Sequence, residues 1–430
     1  MKESGTYLRK AIRYSFEQSF YAAVQYGLAM ILSIAFARVL GEEGLGLYSY
    51  LFSLTIPLWI AVEFGVDNYL VRDLAAMPER SHELASKTAS VRIVFAFAVF
   101  LFIVPLMVYA QHGFVEKIGV VLLCFAFLPR AISSSYFSVL RSQQRYYHAM
   151  RIDVIGSFIL TACGVVILVT TRSLIAVIAI GAALDFAKLA AVLPMYKRDL
   201  GASLWRSLDL HIMRHIDVIK RTAPFAALNI IVILYLRVDV LLLEHFRNLG
   251  EVGIFTGGER FMNVLLAFPA AMYGSLLPMF SRARGKSYST SLTVKSILVF
   301  MGIGVLVSFV IYLCAGFAIG LTFKFPRSVT VLQILGWSFA FNVFNFIAES
   351  WLYGNGREIR VLAVRSAGLA AIIAANCYFA PIWGAVGTAV STTAAEIFIS
   401  LIFLVIVYHA YKTDTAKQRA DQNHQSIASA

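Results

Sequence analysis

Charge is scarce in this chain: 14% of its 430 residues are Asp, Glu, Lys or Arg, while 59% are hydrophobic. Soluble domains carry about a quarter charged residues, so water is excluded as the main solvent. Cysteine is scarce too. Cys124, Cys163, Cys314 and Cys377 are isolated within apolar stretches, which indicates neither a disulfide framework nor a metal site. Long polar loops are missing, and with them the catalytic acids that a membrane-embedded glycosyltransferase or polymerase would display; the chain reads as a non-enzyme. A phosphate-binding loop is missing as well. Gly285-Lys286-Ser287 has the ending of one, but Phe280 occupies the position of its first glycine. No cofactor is indicated.

What the chain has is long apolar runs. Residues 18–37, 261–281, 296–323, 328–348 and 366–395 contain no Asp, Glu, Lys or Arg, and a helix needs roughly 20 apolar residues to cross a bilayer. The runs lack the ten-residue alternation of a barrel strand, and only closed barrels and helices satisfy their backbones in lipid, so helices are expected. Spans are placed at about 15–37, 45–69, 89–110, 116–138, 151–171, 173–195, 222–246, 252–280, 294–322, 328–353, 361–380 and 384–409. The last two meet at a break marked by Pro381 and Gly384. The polar, basic start reads as an uncleaved leader into the first span.

The net charge of +13 would suggest nucleic acid in a soluble protein. On this map, however, 27 of the 37 Lys and Arg fall on one set of loops and ends, Arg92 and Arg365 among them, and 6 on the other. That is a positive-inside signature; it excludes nucleic acid as the partner and predicts both termini in the cytoplasm. In the connector, Trp205, Leu208, Ile212, Ile216 and Ile219 recur with a helical period among Arg206, Arg214, Lys220 and Arg221, so an amphipathic helix on the membrane lipids is expected. His211 and His215 share one face of it, but nothing nearby completes a metal site.

The chain also repeats. Arg38-Val-Leu-Gly-Glu-Glu-Gly-Leu matches Arg247-Asn-Leu-Gly-Glu-Val-Gly-Ile, and Pro57 with Pro269, Arg72 with Arg282, Arg145 with Arg357 and Asp185 with Glu396 follow in order at similar offsets. A duplicated six-helix unit gives parallel repeats. The expected fold is all-α and integral to the membrane: about 12 transmembrane helices in two parallel-repeat six-helix lobes around a central cavity. The expected divisions are 1–200 for the N-terminal lobe, 201–221 for the linker helix, 222–410 for the C-terminal lobe and 411–430 for a polar tail.

The segments Ala37-Arg-Val-Leu-Gly-Glu-Glu-Gly-Leu-Gly-Leu-Tyr-Ser-Tyr50 and Phe64-Gly-Val-Asp-Asn-Tyr-Leu-Val-Arg-Asp73, with Arg237-Val-Asp239, Leu249-Gly-Glu-Val-Gly253 and Glu259-Arg260, resemble the polysaccharide transporters that flip lipid-linked oligosaccharides. That family shares a superfamily with multidrug exporters and lipid II flippases. The resemblance implies a flippase of the cell inner membrane, working as a monomer. Its substrate would be a polyprenyl diphosphate-linked O-antigen, capsule or exopolysaccharide repeat unit, with a glycan polymerase and assembly proteins as candidate partners. The alternatives are a cation-coupled multidrug exporter or a membrane-embedded polymerase.

Ionisable groups at membrane depth are costly and mark function by default. Arg130, Arg237 and Arg260 suit a diphosphate or its sugar, because guanidinium forks bond phosphate oxygens bidentately; Asp239 and Glu259 are possible counter-charges. Glu63 and Asp67, four residues apart on one helix face, can hold one exchangeable proton. With Asp185, Lys188, Glu349 and Glu396 they form the candidates for coupling to a proton or sodium gradient. Asp185 and Lys188 can also pair on their own helix. Glu396, at the repeat position of Asp185 and without a nearby cation in sequence, is the leading coupling candidate.

Overall fold

The computed structural model describes residues 2–109, 113–143, 145–201, 203–265, 269, 276, 279–281 and 289–428, and side chains for most of them from residue 20 on. The Gly285-Lys286-Ser287 motif, much of the expected 252–280 span, and the side chains of Arg72, Trp205 and Arg206 lie outside the described residues. Every regular element among those described is helical. Among the described residues ten helices are long and apolar enough to cross a membrane, and one of these, Phe20–Glu63, has 44 residues, about two crossings. The chain is therefore a multi-pass, all-α membrane protein. It divides into two compact units: Val24–Glu244 with Asn248–Gly253, and Ile254–Ala430 with His245–Arg247 and the chain up to Ala23.

In the first unit, helix α1 (Lys2–Glu63) carries both of the first two expected spans. The loop expected between them is a bend at Gly41, whose φ of 74° lies in the left-handed region that glycine enters without steric cost. A second break at Phe64 and Gly65 (φ 49° and 68°) separates α1 from α2 (Val66–Ala76). Next come α3 (Ser81–Tyr109), α4 (Phe114–Phe125), α5 (Phe127–Ser142), α6 (Tyr146–Thr171), α7 (Leu174–Leu200) and α8 (Ile216–Phe246). The fourth expected span is thus two helices, α4 and α5, that join at Ala126. Leu70 and Leu74 on α2, Tyr136 and Leu140 on α5, Tyr196 on α7 and Val218 on α8 form one buried apolar cluster.

The 201–221 connector is not the amphipathic helix its periodicity suggests. It forms two short 3₁₀ turns, Leu204–Ser207 and Ile212–His215, and its last residues, 216–221, already belong to α8. Asp209 is the cause. Its carboxylate accepts the backbone N–H of His211 and a guanidinium N–H of Arg214, each at 3.0 Å, and its own N–H donates to Ser90 Oγ at 3.0 Å. Such local side-chain bonds offer the backbone an alternative to helix. Leu208, Ile212 and Ile219 of the expected face pack against the apolar cluster, while Ile216 is exposed.

The two copies of the repeated motif meet within this unit. A Cβ at Gly46 would stand 1.7 Å from the Leu249 carbonyl oxygen, and one at Gly253 would stand 1.9 Å from that of Glu42. Backbone approaches this close admit only glycine.

In the second unit, α9 (Leu249–Leu265) leads from the shared motif and starts the eighth expected span. Helices α10 (Ser289–Leu321), α11 (Pro326–Gly354), α12 (Glu358–Trp383) and α13 (Ala385–Ala428) follow. Gly384, at φ 59°, makes the break between α12 and α13, and Pro381 stays inside the last turn of α12.

Candidate functional site

Among the described residues, networks of interior charge lie between helices of the first unit and of the second. The first network is built at the break between α1 and α2. Arg92 of α3, with no exposed surface, donates to Asp67 Oδ1 at 2.7 Å and to Ser134 and Ser135 Oγ at 3.0 and 3.1 Å. Arg141 holds the other oxygen of Asp67 at 3.0 Å, and Ser138 donates its hydroxyl to Oδ1. Glu63 receives the backbone N–H of Asp67 at 3.3 Å and stands 3.7 Å from Arg92. Arg92, counted from sequence with the loop cations, is therefore an interior ion-pair partner. The serine run of α5, which the sequence reading left unused, is the signal that could have found it.

The second network joins α5, α6 and α7. Arg130 Nη2 bonds Asp185 Oδ2 at 2.6 Å, and its guanidinium carbon lies 5.4 Å from the Trp59 ring centroid. Lys188 stands 3.8 Å from Asp185 and 3.4 Å from Asp153. The expected pairing of Asp185 with Lys188 is present but is the longer contact. Arg130, 55 residues from Asp185 in sequence, is its nearer partner. Asp153 was not anticipated.

The third network belongs to the second unit. Arg365 Nε of α12 bonds Glu349 Oε1 of α11 at 2.5 Å, and its Nη1 lies 3.9 Å from Glu396 Oε1 of α13. Asn345 Nδ2 donates to Glu396 Oε2 at 2.7 Å, and Ser400 donates to Asn345 Oδ1 at 2.9 Å. Arg365, like Arg92, leaves the loop tally for the interior. Glu396, expected to lack a cation, has one across the helix pair. Arg365 and Asp153 lie at matching positions of the repeat with opposite signs, a signal visible in sequence only once the repeat is aligned.

Arg237 on α8 and Arg260 on α9 are half-buried and belong to different units. Both have interaction partners of their own, as do Asp239 and Glu259. Among the described residues no cluster of His, Cys, Asp and Glu could hold a metal ion.

A profile of the polysaccharide biosynthesis protein family matches residues 19–284, more than half of the chain. No curated protein sequence matches. Among solved structures, an inward-facing multidrug-resistance MATE family transporter of the MOP superfamily superposes with a TM-score of 0.71 at 14% identity, over 92% of this chain and 96% of that one. The lipid II flippase MurJ in an inward closed conformation gives 0.71 at 15% identity, over 92% and 87%. A MOP superfamily transporter from Pyrococcus furiosus gives 0.63 at 12% identity, over 94% and 97%. The fold is thus the one these solved structures share. The chain belongs to the polysaccharide biosynthesis protein family.

Proposed function

We propose that the protein flips a polyprenyl diphosphate-linked oligosaccharide, an O-antigen, capsule or exopolysaccharide repeat unit, from the cytoplasmic to the outer leaflet of the cell inner membrane by ion-coupled alternating access. The observation that carries this reading is the family match over residues 19–284 on a fold shared with transporters. Arg237, in the first unit, and Arg260, in the second, are each proposed as a diphosphate-binding residue of its own unit: each is a guanidinium at membrane depth, whose fork fits phosphate oxygens. Both termini are placed in the cytoplasm by the distribution of Lys and Arg.

Coupling is assigned to Glu396. It accepts a bond from a neutral amide, that of Asn345, at 2.7 Å, and it shares Arg365 with Glu349. A carboxylate so placed can exchange its proton or ion between the two states of a transport cycle, and only differential occupancy in those states drives the change. A multidrug exporter would instead need a carboxylate free to meet a cationic drug, and Asp185 is bonded to Arg130 at 2.6 Å.

The test is reconstitution into proteoliposomes with a fluorophore-labelled polyprenyl diphosphate glycan, reading the exposure of the glycan to an impermeant quencher. The expected outcome is protein-dependent movement of the shielded pool. Exposure at the protein-free rate, with intact folded protein, overturns the reading.

A further inference from the structure

The first unit holds a cavity of about 220 Å³ whose lining includes Tyr48, Phe52, Leu160 and Gly181, with Arg130, Asp185 and Lys188 among its polar residues. Arg130 is 41% exposed and so reaches the cavity, yet it is already bonded to Asp185. Lys188 lies between Asp185 and Asp153. Two cations and two carboxylates balance within this group. An incoming diphosphate would have to displace Asp185 from Arg130 and then sit beside two carboxylates, whose like charge opposes it.

An uncharged polyol meets the opposite situation. The Asp185 carboxylate has lone pairs left to accept hydroxyl protons, Arg130 and Lys188 have N–H groups to donate, and Ser157, also on the lining, can do either. Tyr48 and Phe52, whose rings lie 4.7 Å apart, supply aromatic surface for the C–H face of a ring. Size narrows the occupant further. Pockets for drug-sized molecules run from about 300 to 1,000 Å³, so about 220 Å³ admits one ring and not a whole repeat unit.

We infer that this cavity is a saccharide subsite that takes a single uncharged sugar ring of the glycan, with Asp185 and Arg130 bonding its hydroxyls and the diphosphate held elsewhere. The inference rests on the flippase reading and moves Arg130 from the diphosphate to the sugar. It also gives Asp185 a binding role in place of a coupling one.

The decisive variant is Gly181→Leu. A Cβ at Gly181 meets only Leu160 Cδ1, at 3.7 Å, so the larger side chain fills the cavity without a backbone clash, and leucine favours helix over glycine. The probes are the glycan-bearing lipid extracted from the native membrane and polyprenyl diphosphate without sugar, each titrated against the purified full chain in detergent. Gly181→Leu is expected to weaken binding of the glycan lipid about tenfold or more while leaving the bare diphosphate lipid unchanged. Asp185→Asn is expected to do the same through lost hydroxyl contacts, at about tenfold, the scale of one charged hydrogen bond.

Equal loss for both lipids makes the cavity a diphosphate site and overturns the inference, as does equal retention of both by Gly181→Leu with an unchanged melting temperature. These results leave the flippase reading standing when wild-type protein binds the glycan lipid. Wild-type protein that binds neither lipid overturns both.

Discussion

The two compact units treat buried charge differently. In the first, Asp67 lies between two guanidinium groups and a serine hydroxyl, and Asp185 has an arginine at 2.6 Å and a lysine at 3.8 Å. In the second, one guanidinium faces two carboxylates: Arg365 is 2.5 Å from Glu349 and 3.9 Å from Glu396, whose shorter bond is to an amide. Breaking a pair of the first kind strands a charge inside the unit, so such pairs act as fixed cross-links between helices. A carboxylate held by an amide keeps a partner when it gains a proton, because the amide can both donate and accept. Under the proposed coupling role of Glu396, the first unit's pairs anchor helices and the second unit's carboxylate changes charge.

The largest expected effect tests the second half of that contrast. Glu396→Gln imitates a permanently protonated side chain, so exchange of substrate down its own gradient should persist while accumulation driven by an imposed proton or sodium gradient is abolished. Proteoliposome uptake with and without the gradient reads both quantities. If wild type and Glu396→Gln respond to the gradient equally, the coupling site lies elsewhere.

The first half is tested by Arg92→Ala. Removing a guanidinium with no exposed surface takes away the cation 3.7 Å from Glu63 and leaves Asp67 with Arg141 alone, and breaking a buried pair costs about 3 to 5 kcal/mol. A marked fall in melting temperature in detergent, together with poor yield, is expected. A double replacement of Arg92 and Asp67 should cost less than the sum of the single changes, because the two share one contact and the second change also removes the like charge beside Glu63. An Arg92→Ala protein as stable as wild type would remove the distinction between the units.

Arg237 and Arg260 carry the next effect. Each Ala replacement is expected to weaken binding of the diphosphate lipid by about tenfold or more, from the roughly 1.5 to 3 kcal/mol of a hydrogen bond to a charged group. Lysine should rescue only in part, since it lacks the planar fork. Normal glycan export by both Ala variants at normal expression would return the two arginines to a structural role.

Much of the fold was legible because its signals are local. Span lengths, the break at Gly384 and the duplicated motif depend on neighbouring residues, and the motif proved to be where its two copies touch, Gly46 on Leu249 and Gly253 on Glu42. The charge networks were legible only as a list of members. Which cation meets which acid depends on helices far apart in sequence, as with Arg130 and Asp185. Arg92 and Arg365 were hidden for another reason: an arginine within a turn or so of a span end looks like a loop charge whether its side chain turns outward or inward. The linker failed because periodicity reports where apolar residues can align, and the turn bonds of Asp209 decided the backbone instead.

That linker gives the smallest expected effect and the one that depends on pH. Asp209 is held below the ordinary carboxylate range, first by the backbone N–H of His211 and then by the Arg214 guanidinium. A carboxyl group whose folded value is depressed contributes stability that is fully present above its unfolded value, about 3.9, and is lost as pH falls through the folded value. The side chain is largely solvated, so screening keeps the contribution modest. Asp209→Asn should therefore lower the melting temperature slightly at neutral pH, and the gap to wild type should close as both are acidified below the ordinary carboxylate range. The first unit's interior networks should show no such recovery for Arg92→Ala near neutrality. A gap for Asp209→Asn that stays constant down to acid pH would mean that the turn is held by the packing of Leu208 and Ile212 on the apolar cluster, and not by the charge of Asp209.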